Sequence, residues 1–222
     1  MIAALHAADA LRRGLGRAGQ ASGQWCDLYR PRGSSAPLAP RNRILRLPAA
    51  FTAPAEGWRT PGYGQALWWG YFDAAYTQAG DYLQRAETRP GAQDGGIWFI
   101  AAQEPLHPLL CIRASRLIDV ARPAGASQSG VNSYGGVAKS YATPILTQWP
   151  AAILAGGSAG ASIDPLPADI TGGSWTILLP RHATITLKTG DLVTDDLGRT
   201  ATLASTELTH LGWRTIARQA TT

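Results

Sequence analysis

Apolar and polar positions alternate most cleanly near the C-terminus. Trp175, Ile177 and Leu179 fall on one face of an extended segment. Ile185 and Leu187 share a face, with Thr184, Thr186 and Lys188 opposite. A period of two is the signature of a half-buried strand. An earlier stretch repeats the arrangement. Residues 66–113 and 174–216 read as two degenerate copies of one β module. Each has an aromatic-apolar strand, a Gly-Asp pair (Gly80-Asp81 and Gly190-Asp191) and a further apolar strand. Glu104 and His107 in the first copy are echoed by Glu207 and His210 in the second. Gly allows a sharp entry turn, and Asp can accept bonds from backbone amides just along the chain. Gly80, Asp81, Gly190 and Asp191 are therefore expected to be structural turn residues.

The remaining patterns set the organisation. Residues 2–13 are Ala-rich, with Ile2, Leu5 and Ala8 near helical spacing, which predicts a short helix. Gly14, Gly16 and Gly19 are expected to end it. Trp25 to Tyr29 reads as a strand, and Asn42 to Leu47 as a second that stops at Pro48. Residues 53–64 are rich in turn formers. Arg85 to Gly96 is a polar insertion, where the second copy has only Asp195 to Gly198. That short version predicts a tight hairpin, with Gly198 at positive φ. Pro123 to Gly130 and Gly156 to Gly160 have linker composition. Between them, Ile145, Leu146, Trp149, Ile153 and Leu154 suggest a short helix interrupted by Pro150. The expected fold is mainly β: two small SH3/OB-like β-barrel modules, a short N-terminal helix and long loops. The expected divisions are a helical arm over 1–24, a first β domain over 25–122, a flexible bridge over 123–173 and a C-terminal small barrel over 174–222.

Composition narrows the function classes. With 25 Gly, 15 Pro and 16% charged residues, the chain has many turns and a lightly charged surface. The net charge is +5, but the arginines are scattered, and the densest run, Arg30 to Arg46, is broken by Pro31, Pro37 and Pro40. A solvated basic loop is expected there, and no specific nucleic-acid binding. Cys26 and Cys111, the two cysteines, both sit in apolar strands and read as buried, reduced thiols. No segment has the roughly 18 consecutive apolar residues of a membrane span. The N-terminus lacks the basic region of a signal peptide.

Candidate chemistry is sparse. Gly14 to Gly19 matches G-x-G-x-x-G, but a helical stretch precedes it where a dinucleotide site needs a strand. The four histidines, His6, His107, His182 and His210, lack zinc-ligand spacing. Asp191, Asp195 and Asp196 do not follow the alternating ligand pattern of a calcium loop. Gly156-Gly-Ser-Ala-Gly160 spells G-x-S-x-G but has linker composition, so no nucleophile elbow is read there. Glu104 and Glu207, a possible pair for glycoside chemistry, lie in different modules. No catalytic, cofactor-binding or metal residues are assigned. Of the eight tryptophans, Trp58 and Trp149 lie in looser segments and are the candidate interface residues.

The run Gly190-Asp-Leu-Val-Thr-Asp-Asp-Leu-Gly-Arg199, closing at Gly212-Trp-Arg214, resembles the small β-barrel of tailed-bacteriophage virion proteins. Asn42 to Pro48, Gly80 to Leu83 and Trp98 to Leu106 are similar to uncharacterised proteins from phage and prophage tail-gene regions. The resemblance implies a non-catalytic virion structural protein, assembled in the host cytoplasm and oligomeric in the particle. It implies a place in the baseplate or tail tip, with tail tube, sheath, hub or other baseplate components as partners. The alternatives are a head–tail connector and a carbohydrate-binding host-recognition module using the Trp-rich loops.

Overall fold

A computed structural model describes residues 2–54, 65–89, 95–123, 142–156 and 173–219. The turn-rich stretch from 55 to 64 with Trp58, the tip of the Arg85–Gly96 insertion and most of both linker stretches lie outside the described residues.

Among the described residues a helix, α1 (Ile2–Ser22), precedes twelve strands. The first six are β1 (Gln24–Tyr29), β2 (Arg43–Thr52), β3 (Leu67–Tyr71), β4 (Tyr82–Arg85), β5 (Gly96–Ala102) and β6 (Leu109–Ala114). They close into an antiparallel barrel in the order β1-β2-β3-β6-β5-β4, with β4 pairing back to β1. The second six are β7 (Arg116–Arg122), β8 (Thr143–Gly156), β9 (Ser174–Leu179), β10 (Leu192–Asp195), β11 (Thr200–Thr209) and β12 (Gly212–Gln219). They repeat the same order, closed by β10 on β7. The protein is mainly β with two barrel modules, as its alternation predicts. Each barrel has six strands, one more than the five of an OB barrel. The repeat unit is longer than the two matched stretches, because β1–β2 and β7–β8 belong to it. β7 and β8 were expected in the first domain and in a flexible bridge. Both belong to the second barrel, which begins at Arg116.

Period-two alternation sorts the strands of the first barrel into two faces. Cys26, Leu28, Leu47, Leu83, Ile100, Leu109 and Cys111 pack together as one core. Their strand neighbours Tyr29, Tyr82, Phe99 and Ile112 point the other way and join the core of the second barrel. Both cysteines are unpaired thiols. Burial pushes Cys26 up to about 11 and Cys111 higher still, so both stay protonated at neutral pH.

Three stretches besides α1 differ from expectation. β2 runs through Pro48, whose lost N–H is tolerated because pairing with β3 begins only at Ala50. The described part of the helix predicted over Tyr141–Leu154 is strand β8. A bulge there places both Thr147 and Gln148 opposite Asp119, with Gln148 at φ 54° and its N–H donating to Asp119 Oδ1 at 2.7 Å. The bulge turns Leu146 and Trp149 inward at a spacing of three, which imitates a helical stripe. Residues 185–188, expected as a strand, belong to none of the strands, although Ile185 and Leu187 are buried.

The helix extends through all three glycines. Leu11 and Leu15 face the first barrel, and α1 rests on β2 and β3. At Gly19 a Cβ would lie 2.6 Å from the Tyr71 carbonyl oxygen and 2.9 Å from that of Pro48. Gly19 therefore lets helix and barrel backbones touch, whereas a Cβ at Gly14 would meet nothing within 4 Å. Gly14→Ala is expected to stabilise the protein by about 0.5–1 kcal/mol through helix propensity. Gly19→Ala should cost more than about 1 kcal/mol by prying the helix off its seat. Thermal denaturation of the two variants checks this, and equal effects would refute the seating role.

Candidate functional site

The Gly-Asp pairs form two matching clamps. Gly80 and Gly190 take φ of 96° and 92°, where glycine is favoured. Both amides donate to the fifth strand of their barrel, to Ile100 O and Leu203 O at 2.8 Å. The Ile100 and Leu203 amides return bonds to Asp81 O and Asp191 O at 2.9 Å. Both Asp side chains turn inward and are almost wholly buried.

An arginine that no local pattern singles out neutralises each of them. Arg30 donates from Nε to Asp81 Oδ1 at 2.9 Å and from Nη2 to Oδ2 at 2.8 Å. Arg122 forks onto Asp191 in the same way, at 2.8 and 2.9 Å. Each Nη2 also donates to a loop carbonyl, Tyr76 O or Thr186 O. Each carboxylate accepts a loop amide as well, from Gln78 or Lys188. The unpaired segment 185–188 is thus held by side chains in place of a ladder. The last β1–β4 pair is Tyr29 with Tyr82, and Arg30 and Asp81 stand one step beyond it. The last β7–β10 pair, Ala121 with Leu192, precedes Arg122 and Asp191. The bonded carboxylates raise both guanidinium pKa values, which keeps the forks charged at any working pH.

The expected hairpin is present. Asp195 accepts the amides of Leu197 and Arg199 on Oδ1, and Gly198 has φ 75°. Burial raises the Asp195 pKa, but bonds from the Arg199 guanidinium and those amides more than offset it, so the pKa lies below the usual carboxylate value. Arg199 also stacks over Trp175, 4.9 Å from the ring centroid. His107 and His210 both occupy exposed turns.

Trp149, expected to meet a partner, is wholly buried where the two barrels join. Its indole N–H donates to Ser34 O at 2.6 Å. The loop carrying Ser34 runs along the β8 bulge, with Thr147 N donating to Ser34 O and Ala36 N to Thr147 O. Tyr82 sits edge-on to Trp149 and donates its hydroxyl to Pro150 O at 2.8 Å. Burial drives the Tyr82 phenol pKa well up, so it remains a donor. His182 packs edge-on to Trp149, with Nε2 at 3.1 Å from Pro31 O. That carbonyl can only accept, so Nε2 carries a proton. Trp25, in contrast, is 59% exposed on the outer face of β1.

Among the described residues no three His, Cys, Asp or Glu side chains group as metal ligands. No helix among them is long and apolar enough to cross a membrane. No family model, curated protein or solved structure matches the chain.

Arg30→Ala and Arg122→Ala should each destabilise the protein by roughly 3 kcal/mol, because each leaves a buried carboxylate without its partner. Adding Asp81→Asn or Asp191→Asn to the matching variant should recover part of the loss, as read by urea denaturation. Asp195 should add stability above its unfolded pKa of about 3.9 and lose it as pH falls through the lower folded value. Asp195→Asn should therefore flatten the stability–pH curve below about pH 4. A curve unchanged by that substitution would refute the assignment.

Proposed function

We propose that the protein is a non-catalytic structural component of a bacteriophage tail, in the baseplate or tail-tip region, which holds neighbouring virion proteins together. One observation carries the non-catalytic part. The buried carboxylates among the described residues, Asp81, Asp191 and Asp195, are each engaged by an arginine and by backbone amides. Their hydrogen-bonding capacity goes into fastening loops to strands, and a general acid or base needs a carboxylate free to exchange a proton. Two copies of one barrel, fastened through Trp149 and Tyr82, give a single chain several distinct outer faces. Such a part suits contact with more than one neighbour. The tail assignment itself is supported by the sequence resemblance around Gly190–Arg199 and in the middle of the chain.

On this reading the protein is present in several copies per particle and is assembled with tail tube, sheath, hub or baseplate proteins in the host cytoplasm. Contact between copies can be symmetric or head-to-tail. Mass spectrometry of purified particles should find the chain at a stoichiometric level, and a tag on it should appear at the tail tip by electron microscopy. A tag at the neck would place it as a head–tail connector. Absence from particles, or turnover of glycan or peptide substrates at an enzymatic rate, would overturn the reading.

A further inference from the structure

A cleft of about 380 Å³ opens between the base of the β4–β5 hairpin and the first residues of the second barrel. Three guanidiniums line it: Arg85, Arg113 and Arg116. Arg85 lies over the Trp98 ring at 5.1 Å, and Arg113 lies 5.7 Å from Trp98 and 5.9 Å from Trp68. Stacking on an indole uses the flat face of a guanidinium and leaves its in-plane N–H groups to point elsewhere. Among the described residues, neither Arg85 nor Arg113 forms an ion pair. The Nε of Arg85 is buried without a hydrogen-bond partner. A buried donor on a charged group left unbonded is costly, and an incoming acceptor would relieve that cost. Arg116 reaches Asp196 only at 3.8 Å, a loose contact.

We propose that this cleft is a carboxylate-binding site that takes an acidic segment of a protein partner. The guanidinium fork matches a carboxylate in two parallel bonds. Ile97 and Leu117 give the cleft apolar wall on which aliphatic stems of Glu side chains can lie. Glu87 and Asp196 also lie in the lining. The cleft joins both barrels, so an acidic segment seated there touches both. This inference rests on the cleft's residues alone and stands apart from the tail assignment, which particle localisation tests.

The test uses the full chain and two probes, a synthetic hexaglutamate peptide and inorganic phosphate. NMR follows the side-chain Nε–H resonances of Arg85 and Arg113. The peptide is expected to shift both. Arg85→Gln and Arg113→Gln should each weaken peptide binding roughly tenfold or more. Arg113→Lys should also weaken it, because it keeps the charge and loses the fork. Arg12→Gln, at an exposed position on α1, should leave it unchanged. The resonance shifts in the unaltered protein decide the matter if a variant fails to fold. Unshifted resonances would overturn the proposal. So would shifts with phosphate but not peptide, or equal weakening by Arg12→Gln, which would mark unspecific charge attraction.

Discussion

The closure of each barrel depends on one buried ion pair. Strands one and four are distant in sequence and short, and their ladders end beside a loop whose backbone lacks a strand partner. A carboxylate placed there ties the loop amide, the loop carbonyl and the end of strand one into a single unit, provided a guanidinium neutralises it. Arg30–Asp81 and Arg122–Asp191 perform this job with nearly the same distances. The positive-φ glycine before each Asp turns the chain onto strand five. Removing the pair would loosen the contact of strands one, four and five together.

With the interior scheme fixed twice, the two copies diverge on their outer surfaces. Pro48 and Pro150 occupy matching register, opposite Trp25 and Leu117. The Pro48 carbonyl lies under Gly19 of α1, while the Pro150 carbonyl accepts the Tyr82 hydroxyl of the first barrel. The helix covers on the first barrel a position that the first barrel covers on the second. The docking face of the first barrel is built from Tyr82, Phe99 and Ile112. The register puts Leu192, Thr202 and Arg218 at the matching places in the second barrel, and none of the three is buried. The polar Thr202 and Arg218 at two of these places make stacking of a further barrel in the same way unfavourable.

Legibility in the sequence followed the range of the interactions. The Gly-Asp turns, the Asp195–Gly198 hairpin and the alternation of Trp175, Ile177 and Leu179 are set by neighbours a few residues away, and they were readable. Arg30 and Arg122 were not, since 51 and 69 residues separate them from their aspartates and scattered arginines all look alike on paper. β8 misled because its bulge gives Leu146 and Trp149 a helical spacing. The glycines of α1 misled for the opposite reason. Their helix-weakening propensity is real, but the close seat on β2 and β3 outweighs it.

The sequence by itself determined that this is a β protein of duplicated barrel modules, and where its sharpest turns fall. Local sterics and period-two burial suffice for that. Only the tertiary structure decided which charges are buried and paired, where the second barrel begins, and that Trp149 joins the two barrels. It also decided that Arg85 and Arg113 stack on Trp98 and line an open cleft. Those outcomes depend on strand register between distant segments, which residue order alone does not express.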